Sequence, residues 1–310
     1  MEKTRAKTTR NSLILLLTAT IWGMAFVSQS KGMDYMHPFT FNGVRSLIGA
    51  AGILVYILIS RKIAGDKAAK LDWKLNVRAG LLCGIFLTIA STLQQFGIKY
   101  TSVGKAGFIT TLYIIFVPMF GIFLKKKVAP VVWAAAGMAA VGMYLLCMTE
   151  SLRLGAGDIM VFLCAIAFAI QIMTVDHYAA RIDGAVVSCI QFTVCGVVCC
   201  IGALIWGQPT FGQIQEGLGA LLYAGVLSCG VGYTLQIVGQ KDLNPTVAAL
   251  IMSLESVIAT ISGWIAYKIG FLSTDQTLTP RQIAGCIIVF AAVILVQLPP
   301  EWFRFGKKNA

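Results

Sequence analysis

The sequence predicts an all-α integral membrane protein of ten transmembrane helices, built as two inverted five-helix repeats with both termini cytoplasmic. Three observations lead there: the composition, the length of the apolar runs, and a pattern that returns 142 positions downstream. Of the 310 residues, 57% are hydrophobic and only 12% are charged, and the mean hydropathy is +0.80. A soluble domain carries roughly 25% charge. The apolar residues fall in runs of the length a helix needs to cross a bilayer, about 17–25 residues.

Ten such stretches stand out, near 11–29, 38–59, 78–98, 104–124, 129–148, 157–176, 185–206, 218–240, 245–267 and 281–298. The first follows a basic segment, as in a signal peptide. It runs on without a small-residue cleavage pattern, so it reads as a retained span. Ten is even, which puts both ends on one side. With the N-terminus in the cytoplasm, eighteen Lys and Arg fall in inner segments, six in outer segments, and Arg45 within a span. That asymmetry is the positive-inside signature. The predicted setting is the plasma membrane, with residues 301–310 as a cytoplasmic tail.

The duplication is read from Thr92-Leu93-Gln94-Gln95-Phe96-Gly97-Ile98-Lys99, which returns as Thr234-Leu235-Gln236-Ile237-Val238-Gly239-Gln240-Lys241. Ala106 returns as Ala248, Ile109 as Ile251, Leu112 as Leu254 and Gly121 as Gly263. A fixed offset means a duplicated unit, here residues 1–150 and 151–300. Five spans per copy is an odd number, so the second copy enters the membrane from the opposite side. Inverted repeats are a common build of secondary transporters, with the binding site near mid-membrane between the copies.

Other classes lack their signatures. The net charge of +12 is concentrated between apolar runs, where it sets topology, and no nucleic-acid motif accompanies it. There is no Walker lysine motif, no HExxH and no GxSxG, so neither an ATP-driven engine nor an intramembrane enzyme is indicated. A filter-like TVGYG is missing too, which disfavours a channel. The nine cysteines lie in or at the ends of apolar runs with no CxxC pair and no metal-ligand set, and read as small buried hydrophobes. No cofactor is expected.

Ionisable groups at membrane depth are costly and point to function by default. Arg45 and Glu255 are the clear cases. They read as a cation and an anion facing a cavity, as a structural pair, or, for Arg45, as a side chain that snorkels to the outer interface. Gln94, Gln95, Gln171, Gln191 and Gln236 are uncharged polar residues at mid-span, and Gln94 and Gln236 are repeat equivalents. They line a cavity or bond between helices at about 0.6 kcal/mol each. Trp22, Tyr113, Tyr233 and Trp264 line a cavity or belong to an interfacial belt; Trp22 is the better cavity candidate. Gly49 to Gly52, Ala135 with Ala139, and Gly225, Gly230 and Gly232 read as close-approach positions. Pro118 is expected to kink the fourth span, and Pro38 and Pro245 to begin spans.

These residues form a pattern that resembles the EamA family of the drug/metabolite transporter superfamily. The resemblance rests on Ala19-Thr20-Ile21-Trp22-Gly23 through Phe26, on Pro38 with Phe41 to Arg45, and on Gly104 to Pro118. In the second copy it rests on Gln191, on Pro245 through Leu254-Glu255-Ser256-Val257, and on Leu278-Thr279-Pro280-Arg281-Gln282 leading to Gly285. Members often carry Gly-Glu after the fourth span of each repeat. Here Lys126-Lys127 stands there in the first copy and Asp275-Gln276 in the second. The resemblance implies export or exchange of a small polar metabolite such as an amino acid. It also implies a central substrate cavity involving Trp22, Arg45, Gln94, Gln191 and Glu255. Repeat symmetry adds Gln236 and Tyr113, the latter at the position equivalent to Glu255. A guanidinium facing a substrate carboxylate suits its planar fork, and Glu255 is the candidate for proton coupling, with facilitated diffusion left open. The expected partners are a small-molecule substrate and the lipid bilayer, with the chain as a monomer. The rival class is a non-transporting membrane protein on the same scaffold, serving in sensing, lipid binding or assembly.

Overall fold

The computed structural model describes residues 2–65, 71–124, 130–147, 155–273 and 275–297. The expected tail 301–310 and the Lys126-Lys127 position lie outside them. Within the described residues, every predicted stretch falls on helical backbone. In chain order the helices are α1 (Glu2–Gly32), α2 (Pro38–Ala64), α3 (Trp73–Ile98), α4 (Val103–Thr111), α5 (Tyr113–Phe123) and α6 (Pro130–Cys147), followed by α7 (Ala156–Tyr178) and α8 (Gly184–Gly202). A π-helical turn, Ala203–Gly207, extends α8. Then come α9 (Phe211–Glu216), α10 (Leu218–Leu222), a π-helical segment Tyr223–Gly232, α11 (Tyr233–Gly239), α12 (Pro245–Met252), α13 (Leu254–Lys268) and α14 (Pro280–Gln297).

Eight of these helical stretches are long and apolar enough to span a membrane. In α6 and α14 the apolar part is shorter, Pro130–Gly142 and Pro280–Leu295 among the described residues. Large apolar side chains stay exposed on the outside of the bundle: Leu54, Leu58 and Ile59 on α2, Ile201 and Leu204 at the end of α8, Ile287 and Phe290 on α14. In water such a surface would drive aggregation; in lipid it is solvated. The chain is a multi-pass membrane protein.

Local signals set the helix starts. Pro38 and Pro245 occupy the first turns of α2 and α12, where a missing N–H costs nothing. His37 and Asn244 cap them by accepting the N–H groups of Phe39 and Thr246. Asp72 and Asp183 cap α3 and α8 in the same way.

The two halves pack reciprocally. α3 lies along α7, and α1 lies along α11 and the π-helical segment. α1 packs on α13, while α7 packs on α4 and α5. Two helices meet their own counterparts: α2 packs on α8, and α6 on α14. A repeat element can touch its copy only near the axis relating the two. Lipid supplies no hydrophobic force between helices, so close approach matters most. A Cβ on Gly49 would lie 2.7 Å from Cys229 Cβ and 2.8 Å from the Gly225 carbonyl oxygen, whereas one on Gly52 would meet nothing within 4 Å. Of the Gly49–Gly52 stretch, then, Gly49 makes the contact between α2 and the π-helical segment.

The fourth span of each half is interrupted at mid-depth, between α4 and α5 at Leu112 and between α12 and α13 at Ser253. The expected kink at Pro118 is displaced: α5 continues through the proline and the break lies six residues earlier. The second copy breaks at the corresponding place without a proline. The interruption therefore belongs to the repeat architecture, not to the missing N–H of Pro118.

Each half's first helix is also tied to a corner of the other half. At the start of α7, Asp158 is buried; it accepts Thr101 Oγ1 at 2.9 Å, the Gly155 N–H at 2.9 Å and Lys105 Nζ at 2.6 Å. At the corresponding corner, Lys7 of α1 meets Asp242 at 2.6 Å, with both side chains open to solvent. There Asn11 also donates to the Lys241 carbonyl.

Candidate functional site

The broken helices aim at one place. Tyr113 opens α5 and Glu255 lies in the first turn of α13. Irregular or discontinuous helices are typical walls of transporter sites. Tyr113 and Glu255 are 142 positions apart, repeat equivalents, and they touch: the Tyr113 hydroxyl donates to Glu255 Oε1 at 3.1 Å. Both are buried, at 2% and 4% exposure. The contact lies where the two copies meet.

Around this pair is a narrow cavity lined from both halves. The first contributes Trp22, Phe26 and Gln29 of α1, Arg45 of α2, Gln94 of α3, Thr110 of α4 and Tyr113. The second contributes Phe168, Gln171 and Ile172 of α7, Ser228 of the π-helical segment, Tyr233 and Gln236 of α11, and Glu255. Its free volume is about 30 Å³, enough for a water or two.

The walls are polar and aromatic. Trp22 packs on Tyr233 with centroids 4.5 Å apart and the rings tilted by 51°, and Phe192 meets Tyr233 edge-on at 5.0 Å. The Trp22 indole donates to the Ser228 carbonyl at 3.4 Å. A Cβ on Gly232 would come within 2.7 Å of that indole nitrogen, so glycine is what lets Trp22 approach here. Gln94 donates to Thr110 Oγ1, and Gln236 to Gln171 Oε1, each at 3.2 Å. Arg45 is 5% exposed. Its guanidinium sits 5.4 Å from the Phe41 ring centre, and its Nε has no hydrogen-bond partner. Lys7–Asp242, Lys31–Asp34 and Lys105–Asp158 are ion pairs. Arg45 and Glu255 thus share a cavity without forming an ion pair, and the structural-pair reading of the two does not hold.

Six of the seven residues singled out from sequence, Trp22, Arg45, Gln94, Tyr113, Gln236 and Glu255, line this cavity. Gln191 does not. It is fully buried on α8, where its backbone faces Gly84 of α3, and neither end of its side-chain amide is hydrogen-bonded. Mid-span polarity alone does not say which way a helix turns that residue. Gln29 and Thr110 were not anticipated, though Trp22, Phe26 and Gln29 share one helical face at spacings of four and three. Ser228 had no such signal. It is five residues before Tyr233, which an α-helix would turn away. In the wider π-helical turn the Tyr233 N–H reaches the Ser228 carbonyl, and the two share a face.

A multi-pass helical bundle with a small cavity, lined by polar and aromatic side chains, at the junction of two reciprocal halves is the build of a membrane transporter. The sequence profile described as the EamA-like transporter family matches twice, over residues 10–148 and 155–298; the chain belongs to that family. It is 27% identical over 290 residues to a protein of Archaeoglobus fulgidus named only as an uncharacterized transporter, covering 92% of this chain and 84% of the relative. An uncharacterized transporter of Clostridium kluyveri is 24% identical, with 91% of each chain covered. The uncharacterized transporter YwfM of Bacillus subtilis is 24% identical, with 94% of each covered. A solved crystal structure with 16% identity superposes with a TM-score of 0.73 over 96% of this chain and 99% of its own, which is a likeness of fold.

Proposed function

We propose that the protein is a secondary transporter of ten spans, two inverted five-helix repeats over 1–150 and 151–300 with both termini cytoplasmic. It moves a small polar metabolite, such as an amino acid, out of the cell across the plasma membrane by alternating access. The observation that carries this reading is the contact between repeat equivalents Tyr113 and Glu255 in the wall of a cavity built from both halves. Two similar halves meeting at a polar site can exchange an inward-facing for an outward-facing arrangement around that site.

Each side chain has a role. Arg45 takes the substrate carboxylate with its guanidinium fork. Glu255, held by Tyr113, takes either the substrate ammonium or a proton. Gln94, Gln171 and Gln236 supply amide donors and acceptors, and Trp22 and Tyr233 give the apolar floor. A buried guanidinium and a buried carboxyl group that face one cavity without pairing are costly at membrane depth, and a zwitterionic ligand would satisfy both. The small free volume fits a contracted stage of the cycle. It is also the observation that favours the second reading, a non-transporting membrane protein with a sealed interior.

The test is uptake of a panel of labelled amino acids into proteoliposomes, with and without a pH gradient, by wild type and Glu255→Gln. Saturable uptake by wild type supports transport. Gradient dependence that disappears in the variant while passive flux persists assigns coupling to Glu255. No saturable uptake of amino acids, nucleotides or sugars would leave the sealed-interior reading in its place.

A further inference from the structure

A second cavity has no part in the reading above. It lies at the end of the bundle that carries the N-terminus, between the last turns of α2 and the outer face of α11, and its volume is about 640 Å³. It is separate from the central cavity: Thr234 and Val238 face it, whereas Tyr233 and Gln236 face the centre. α2 packs closely on the π-helical segment but makes no comparable packing with α11 beyond it. The two helices diverge and leave a cleft. Tyr56, beside it, is 61% exposed on the lipid-facing surface.

We propose that this cleft binds an anionic phospholipid, with the headgroup at its cationic mouth and an acyl chain along its wall. Tyr56, Ile57 and Val238 form the apolar wall, and Arg61, Arg181 and Lys241 line the mouth. Lys241 reaches across it, its Nζ 3.5 Å from the Ile182 carbonyl. The two carboxylates there are engaged as helix caps. Asp72 accepts the Leu75 N–H at 3.0 Å, and Asp183 accepts the N–H groups of Ala185 and Val186 at 3.0 and 3.1 Å. Arg61, Arg181 and Lys241 outnumber these two carboxylates, whose charge faces the starts of α3 and α8. Cations at a membrane–water boundary attract anionic headgroups. A free phosphate would use the mouth but not the wall, and a neutral lipid the wall but not the cations. The site has a place for each end of an amphipathic anion, and it stands whether or not the central cavity transports anything.

The test is binding to the purified full chain of phosphatidylglycerol, phosphatidylcholine or glycerol phosphate, read by native mass spectrometry and thermal unfolding in mild detergent. Phosphatidylglycerol is expected to bind and stabilise in preference to phosphatidylcholine, and glycerol phosphate to do neither. Arg181→Gln with Lys241→Gln should weaken phosphatidylglycerol roughly twenty-five-fold, about five-fold per charge. Thr234→Trp, which narrows the cleft and keeps both cations, should weaken phosphatidylglycerol binding; the double Gln variant, altered at the mouth alone, carries the test if that protein does not fold. Equal affinity for the two lipids, an unchanged affinity in the double variant, or stabilisation by glycerol phosphate equal to that by the lipid would each overturn the proposal.

Discussion

The two corners that tie the halves together occupy corresponding places and are built from different chemistry. At one, Asp158 is 4% exposed and Lys105 21%, with the Thr101 hydroxyl and a backbone N–H completing the carboxylate's partners. At the other, Lys7 is 62% and Asp242 55% exposed. Both pairs stand at 2.6 Å, so distance does not separate them. Solvent does: an exposed pair is screened and contributes about 0–1 kcal/mol, whereas breaking a buried pair strands a desolvated charge. A duplicated scaffold repeats its backbone at both ends while fastening one end more firmly than the other.

The largest effect that sharpens this comparison is expected at Asp158. Asp158→Asn keeps the shape but leaves Lys105 without its anion, and should lower unfolding stability in detergent by about 3 kcal/mol. Lys7→Ala should change it by less than about 1 kcal/mol. Equal losses from the two variants would dissolve the distinction between the corners. Next is Gly49→Ala on α2, where the added methyl meets Cys229 and the Gly225 carbonyl below 3 Å; thermal unfolding should show a loss of about 1–3 kcal/mol. Tyr113→Phe follows. It removes the donor to Glu255 and should cost roughly 1–2 kcal/mol, with substrate affinity falling alongside if the hydroxyl fixes the carboxylate for binding. The smallest change is expected for Gly52→Ala, which meets open space on the same helix. It should be neutral or stabilise by up to about 1 kcal/mol, and a large loss would remove close packing as the reason Gly49 matters.

The same contrast runs through the centre. Position 113 and its equivalent 255 sit on corresponding broken helices, yet one is a phenol and the other a carboxylate. Two glutamates facing each other there would repel, while two tyrosines would offer no charge. Divergence at the axis turns a symmetric frame into a donor–acceptor pair. The sequence made the equivalence visible, because a fixed offset of 142 is a property of the string. It gave no sign that the two residues touch, since that depends on how close to the axis each helix passes.

What the sequence by itself determined is the membrane class, the positions of the apolar stretches, the duplication and the set of costly buried polar residues that became Trp22, Arg45, Gln94, Tyr113, Gln236 and Glu255 of the cavity. These follow from partitioning between water and lipid, which depends on composition over a local window. Only the tertiary structure decided which of them converge. It turned Gln191 into the α3–α8 interface, brought Ser228 to the cavity through a π-helical turn, moved the break in the fourth span from Pro118 to Leu112, and kept Arg45 and Glu255 apart across one space. Each of these depends on the rotation of a helix about its own axis and on its distance from a neighbour. Those quantities are set by packing between segments far apart in the chain, so no local window contains them.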